Sequence, residues 1–363
     1  MTKFEKFINS KPMSYIKIDL KRMPEAFNIV KDDFEIPKII HIVGTNGKGT
    51  TGRFLAEIIK KNGFKVGHYT SPHILNINER FWIDGKNISN LELENSFEKL
   101  QKILPERFQN SLTYFEFTTL MNLPIFEDCD YLILEAGLGG EFDATNVFPK
   151  QISVFTPIGF DHQAFLGNTI EEISSTKFRS AGKISVLAKQ KYDVLPILEK
   201  HSDSRIYQVQ TKPHQAFLKE NMATAKLTAK LLGVFQTEFS FSTFTPLSGR
   251  FEKISKNIIV DVGHNLLSAE RVVEKIKKKS ILIYNSFSDK PYQEILKIFK
   301  PKISEVQIIP IFDERAVNQH TLETTLINLQ IPFSYFKEIR DSDNYLVFGS
   351  FKVVETFLAT YKT

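Results

Sequence analysis

Short apolar runs alternate with amphipathic stretches along most of the chain. Lys38–Val43 is nearly all apolar and ends at Gly44, which predicts a strand buried on both faces. Lys48–Lys61 has helical spacing and stops at Asn62-Gly63, and Lys65–Thr70 predicts a second strand. Tyr131–Glu135 and Ile152–Thr156 predict two more. The series breaks at residues 245–250 and resumes with a strand over Asn257–Asp261, a helix from about Leu266, and strands at Ile281–Tyr284, Val306–Ile309 and Tyr345–Phe348. Strands that alternate with helices favour a parallel sheet covered on both faces. Pro246 and Gly249 punctuate the break and mark a domain boundary. We therefore expect an α/β protein, with a parallel-sheet domain over residues 1–246 and a smaller Rossmann-like α/β domain over residues 247–363.

Composition narrows the partners. A hydrophobic fraction of 42% and a charged fraction of 25% are those of an ordinary globular protein, and the 32 Phe read as core filling. Net charge is only +5, with both signs interspersed, which suits anionic small molecules and gives no nucleic-acid footprint. The basic run Lys275–Lys279 reads as a solvated helix end. Neither a signal segment nor an 18-residue apolar stretch is present, so no membrane partner is expected. Cys129 is the lone cysteine, which excludes an intramolecular disulfide and fits a reducing cytoplasm. Asp128 and Asp130 beside it raise the thiol pKa and argue against a nucleophile. A cytoplasmic monomer is expected.

The strongest local signal is Gly44-Thr45-Asn46-Gly47-Lys48-Gly49-Thr50, which follows the first strand and opens the first helix. Its glycines let backbone N–H groups turn toward a phosphate, and the helix N-terminus adds partial positive charge. Lys48 can reach β- and γ-phosphates, and the Thr50 hydroxyl can ligate Mg2+. The spacing, G-x-x-G-K-G-T, departs from the common G-x-x-x-x-G-K-[ST]. The first domain is thus expected to be a P-loop ATPase domain.

That form resembles the Mur ligase superfamily, in particular its dihydrofolate synthase and folylpolyglutamate synthase branch. Further segments resemble the same branch in the same order: Ile18-Asp19-Leu20, Thr70-Ser71-Pro72-His73, Asn78-Glu79-Arg80, and Tyr114–Thr119 for F-E-x-x-T. Glu135–Val147 resembles E-x-G-L-G-G-R-x-D-A-T-N, followed by Asp161-His162, Leu166–Thr169, Gly249–Glu252 for G-R-x-E, and Asp261–Asn265 for D-G-A-H-N. Glu141 stands where the family has Arg. Thr176-Lys177-Phe178-Arg179 stands where it has Glu-Lys-Ala-Gly, and Val262 replaces a small residue.

The resemblance implies ligation of L-glutamate to dihydropteroate, to folylglutamates, or to both, with ATP as co-substrate. Such a reaction activates a carboxylate as an acyl phosphate, which an amine then attacks, and it needs positioned cations rather than a covalent partner from the protein. The implied ATP contacts are Gly44, Thr45, Asn46, Gly47, Lys48, Gly49, Thr50, Asn221, Arg250 and Asp261. Two Mg2+ sites are implied: Thr50 and Ser71 serve the first, and Glu135 and His162 serve the second, with Lys177 as a carbamylated lysine supporting the metal or the phosphate. Lys48, Lys177 and His162 are the implied catalytic groups. Pterin contacts are expected from Ile18, Asp19, Leu20, Lys21, Thr113, Tyr114, Phe115, Glu116, Phe142, Asp143 and Ala144. Glutamate contacts are expected from His264 and Ser350. Another Mur-type amino-acid ligase, and an ATP-binding regulatory relative without catalysis, are the alternatives; the presence of Lys48, Glu135 and His162 argues for an active enzyme.

Overall fold

The computed structural model describes residues 2–13, 19–211, 216–234, 244 and 246–361. The chain divides into two compact units: Met1–Gly159 with Leu166–Phe244, and Phe160–Phe165 with Thr245–Thr363. Residues 160–165, expected in the first domain, are counted with the second unit.

Among the described residues, the first unit has one sheet of eight strands. These are β1 (Lys38–Val43), β2 (Val66–Tyr69), β3 (Phe81–Ile83), β4 (Lys86–Asn87), β5 (Tyr131–Glu135), β6 (Ile152–Phe155), β7 (Ile184–Leu187) and β8 (Arg205–Gln208). Their order is β4-β3-β2-β5-β1-β6-β7-β8. The α/β class and the first four expected strands are borne out, each within a residue or so. β7 and β8 were not read from the sequence, and neither was the antiparallel edge β2-β3-β4. That edge turns on Asp84-Gly85, both at positive φ, the residue pair that closes a two-residue hairpin.

The register decides what the sheet can do. β1 lies between β5 and β6, with Ile42 opposite Glu135 and Val43 opposite Phe155. Gly44, Ala136 and Thr156 therefore leave the sheet side by side at the carboxyl ends of the strands, where open α/β sheets place ligands. All the residues of β5 and β6 are buried. On one face, Phe4, Phe27, Phe97, Phe117, Phe126 and Phe148 fill a core beneath the N-terminal helices. On the other face, helices Lys48–Lys61 and Phe217–Leu231 pack around Phe54, Ile58, Met222 and Ala225. Core filling by phenylalanine is thus what most of these rings do, although Phe142, Phe165 and Phe312 are exposed.

Among the described residues of the second unit, β9 (Glu252–Lys253), β10 (Ile258–Asp261), β11 (Ser280–Tyr284), β12 (Ile303–Ile308), β13 (Phe333–Tyr335) and β14 (Tyr345–Phe348) form a sheet in the order β13-β12-β11-β14-β10-β9. Its pairs are parallel except β9 with β10. The carboxyl ends of β10, β14 and β11 are neighbours. Among the described residues no helix is long and apolar enough to cross a membrane.

Cys129 is buried, and burial, more than its acidic neighbours, pushes the thiol up to about 12. Only a minute fraction is thiolate at pH 8, so the native protein is expected to alkylate with iodoacetamide about a thousandfold more slowly than the urea-unfolded chain. Equal labelling rates in the two states would contradict this burial.

Candidate active site

The phosphate loop is held by its neighbours before any ligand is considered. The Thr45 and Asn46 N–H groups donate to Pro157 O at 3.1 Å, and the Thr45 hydroxyl donates to Gly159 O. Gly47 caps helix Lys48–Lys61 in the left-handed region (φ 85°), which glycine adopts without strain. A Cβ on Gly44 would lie 2.0 Å from Thr156 Oγ1, so only glycine lets β1 turn there. The first-turn N–H groups of that helix have no acceptor within it and form a natural anion seat. Asn221, in helix Phe217–Leu231, comes so close that a Cβ on Gly47 would be 3.0 Å from its Oδ1. Its Nδ2 is buried and lacks a hydrogen-bond partner among the described residues. A donor orphaned beside a phosphate loop fits a nucleotide.

Two lysines converge on this turn. Lys48 Nζ donates to Gly44 O (3.2 Å) and Thr45 O (3.4 Å) and lies 3.9 Å from Glu135 Oε1. Lys177, a residue only 3% exposed, also donates from Nζ to Gly44 O, at 3.3 Å. Glu135 is buried at the end of β5, and Thr50 is buried in the first turn of its helix, while Ser71 is half-buried after β2. A carboxylate and two hydroxyls are hard oxygen donors, the ligand type Mg2+ prefers.

The expected pterin residues divide by what they touch. Ile18 lies outside the described residues. Asp19 Oδ1 accepts from the Lys21 and Arg22 N–H groups and fixes the start of helix Arg22–Val30, with Leu20 and Lys21 exposed. Thr113 and Glu116 form a capping box on helix Tyr114–Leu120, and Arg22 donates to both Glu116 oxygens at 2.9–3.1 Å. The Tyr114 ring faces the Arg80 guanidinium, 5.1 Å away. Arg80 in turn donates from Nε to His73 Nδ1 at 2.9 Å, and burial lowers the His73 pKa to about 4. Phe115 presses on Gly137, where a Cβ would be 2.6 Å from the ring. Asp143 is buried, and its carboxylate accepts from Leu138 N–H (2.7 Å) and Thr145 N–H (3.0 Å). Burial raises its pKa. Ala144 is buried beside it, and Phe142 projects outward. Phe142 thus exposes its ring, the Tyr114 and Phe115 rings lie against Arg80 and Gly137, and Thr113, Glu116 and Asp143 hold backbone.

In the second unit Asp161 is a hub. Its Oδ1 accepts from Lys290 Nζ at 2.8 Å; its Oδ2 accepts from Asn265 Nδ2 at 2.9 Å and lies 3.2 Å from His264 Nε2. His162 Nε2 is 3.9 Å from Oδ1, and His162 itself has φ 52° and an exposed side chain. Burial alone would raise the Asp161 pKa, but the His264 hydrogen bond and the charges of His264, His162 and Lys290 hold it well below the usual carboxylate range. Nearby, Asp261 accepts from the Phe251 and Gly263 N–H groups, both at 2.8 Å, and burial raises its pKa. Arg250 lies over the Phe351 ring at 4.9 Å. Ser350 Oγ accepts from the Val353 N–H, and Gly349 N–H donates to Gly263 O, which ties the ends of β14 and β10 together. Lys290, Arg22 and Arg80 were not read as site residues. Lys290 carries no local signal at all, since its partner is 129 positions away.

Residues 42–269 match the Mur ligase middle domain family model. A dihydrofolate synthase/folylpolyglutamate synthase of Buchnera aphidicola is 31% identical over 87% of this chain and 86% of its own length. The crystal structure of Helicobacter pylori folylpolyglutamate synthetase superposes with a TM-score of 0.81 at 35% identity, covering 99% of this chain and 98% of that one. A bifunctional folylpolyglutamate synthase/dihydrofolate synthase solved with Mn, AMPPNP and L-glutamate superposes with a TM-score of 0.79 at 25% identity, over 98% of this chain and 97% of that one.

A charge-assisted contact from Lys48 to phosphate is of the size that changes affinity by about tenfold or more. Lys48→Ala is therefore expected to weaken MgATP binding by at least that factor in titration calorimetry, with an unchanged circular dichroism spectrum. Unaltered affinity in a folded variant would remove Lys48 from the nucleotide site.

Proposed function

The chain belongs to the Mur ligase family, in its dihydrofolate synthase/folylpolyglutamate synthase branch, and from that we propose that it is an ATP-dependent ligase joining L-glutamate to dihydropteroate and to folylglutamates. The observation that carries the proposal is the phosphate loop, with Lys48 between Gly44 O and Glu135 and the unpartnered Asn221 Nδ2 beside Gly47.

The reaction runs in two steps. A substrate carboxylate oxygen attacks the γ-phosphorus of ATP, the bond to the bridging oxygen breaks, and ADP and an acyl phosphate result. The glutamate amine then attacks the acyl carbon, inorganic phosphate leaves, and the amide forms after the nitrogen loses a proton. Lys48 and the first-turn N–H groups of its helix hold the phosphates, and their charge stabilises the transferring phosphoryl group. Bound Mg2+ neutralises phosphate charge, and Thr50, Ser71, Glu135 and His162 are the residues proposed to hold two such ions. Tyr114, Phe115 and Phe142 are proposed to receive the flat heterocycle. His264 and Ser350 are proposed to face the incoming glutamate, and Arg250 and Asp261 to serve ATP.

Carbamylation of Lys177 is part of the proposal. As an ammonium it shares the Gly44 carbonyl with a second ammonium, that of Lys48. Addition of CO2 to its amine would exchange that repulsion for attraction and create an anion suited to a metal ion.

Mass spectrometry of products, with dihydropteroate and tetrahydrofolate offered in parallel together with glutamate and MgATP, tests the activity. One added glutamate on each acceptor, with matching ADP release, is expected; ADP release independent of either acceptor points instead to a different ATPase. Glu135→Gln and His162→Ala are each expected to raise the Mg2+ concentration for half-maximal rate, and unchanged titrations in both would remove them as ligands. Lys177→Ala is expected to lose most activity and to regain part of it with acetate; full activity without acetate would exclude a carbamate role.

A further inference from the structure

The loop after Glu135 and the helical turn that carries Lys177 are joined by an ion pair. In the structure Arg179 Nε donates to Glu141 Oε2 across a separation of 38 residues. We propose that the Glu141–Arg179 pair is a positioning device, clamping the loop after Glu135 onto the helical turn that carries Lys177.

The surrounding contacts give the pair something to position. Glu141 N–H donates to Thr176 O at 2.9 Å, so the loop already touches the last turn of helix Ile170–Phe178. Gly140 lies against that turn so closely that a Cβ would be 2.8 Å from Lys177 O and 2.9 Å from its Cα. Ser180 Oγ donates to Lys177 O at 2.6 Å. Lys150 Nζ donates to Ser180 O at 3.1 Å and also to Asn146 Oδ1, while Asn146 Nδ2 donates back to Glu141 O at 2.8 Å. The circuit closes on the backbone of Lys177, whose Nζ reaches the phosphate loop. At its other end the same loop begins at Glu135, 3.9 Å from Lys48. A partly exposed ion pair adds little stability of its own. Its effect here is on where Lys177 sits relative to Glu135 and Gly44, and active sites are sensitive to displacements of that scale.

The inference rests on the ligase reading. Glu141→Arg sets one guanidinium against another, that of Arg179. The full chain is assayed with saturating MgATP, glutamate and dihydropteroate, as wild type, Glu141→Arg, Arg179→Glu and the double variant. Each single reversal is expected to lower kcat about tenfold, with KM for ATP changed by less than about threefold, and the double variant to return to within about threefold of wild-type kcat. Hydrogen exchange of the Glu141 amide is read in parallel, independently of catalysis. It is expected to quicken in both single variants and slow again in the double. Single variants that keep wild-type kcat and a protected amide overturn the clamp, as does a double variant no better than the worse single. A wild type that fails to ligate glutamate overturns the functional reading and the catalytic half of this inference. The exchange data then decide the structural half.

Discussion

An ammonium group held beside a buried carboxylate, at the point where adjacent parallel strands end, is the constraint on which the first unit depends. Glu135 is buried, and an ionised carboxylate is costly to bury without a counter-charge. Lys48 supplies one at 3.9 Å. It can do so because the register of β1 with β5 puts Ile42 opposite Glu135 and lets the chain turn at Gly44. Any ligand that takes part of the Lys48 charge weakens that compensation, so phosphate and divalent metal are expected to bind as a pair rather than singly.

Several residues that a motif comparison would assign to ligand contact spend their polar atoms on the scaffold. The Glu116 carboxylate is occupied by Arg22 and by the Thr113 N–H, and the Asp143 carboxylate by two backbone N–H groups. This is the economy of loops at strand ends. Turns that leave a sheet carry many unpaired backbone donors, and a buried side-chain acceptor satisfies them more reliably than solvent can. Tyr114, Phe115 and Phe142, the residues proposed to receive the heterocycle, lie beside these anchors in the chain.

The second unit shows a related arrangement around Asp161. Lys290, Asn265 and His264 surround one carboxylate that stays ionised despite burial. Removing Lys290 would strip one counter-charge from a buried anion and leave His264 and Asn265 to hold it, a loss that costs more than the pair itself is favourable. The hub therefore fixes His264, one of the residues proposed to face glutamate, through electrostatics and not through packing alone.

The chain announced its own local structure well. The apolar runs of β1, β5, β6, β11 and β14, the helix opening at Lys48 and the glycine turn before it all follow from periodicities and dihedral preferences that act over a few residues. Strands β3, β4, β8 and β13 were not legible: they are short or polar, and they exist because a neighbour offers unpaired backbone groups. The charged contacts were not legible either. Arg22 meets Glu116 across 94 positions, Glu141 meets Arg179 across 38, and Asp161 meets Lys290 across 129. Nothing local encodes such a pair. Strand order and register bring the partners together, and these are set by burying the apolar faces of the whole sheet at once, so the sequence determined which groups were available and only the tertiary structure decided which would meet.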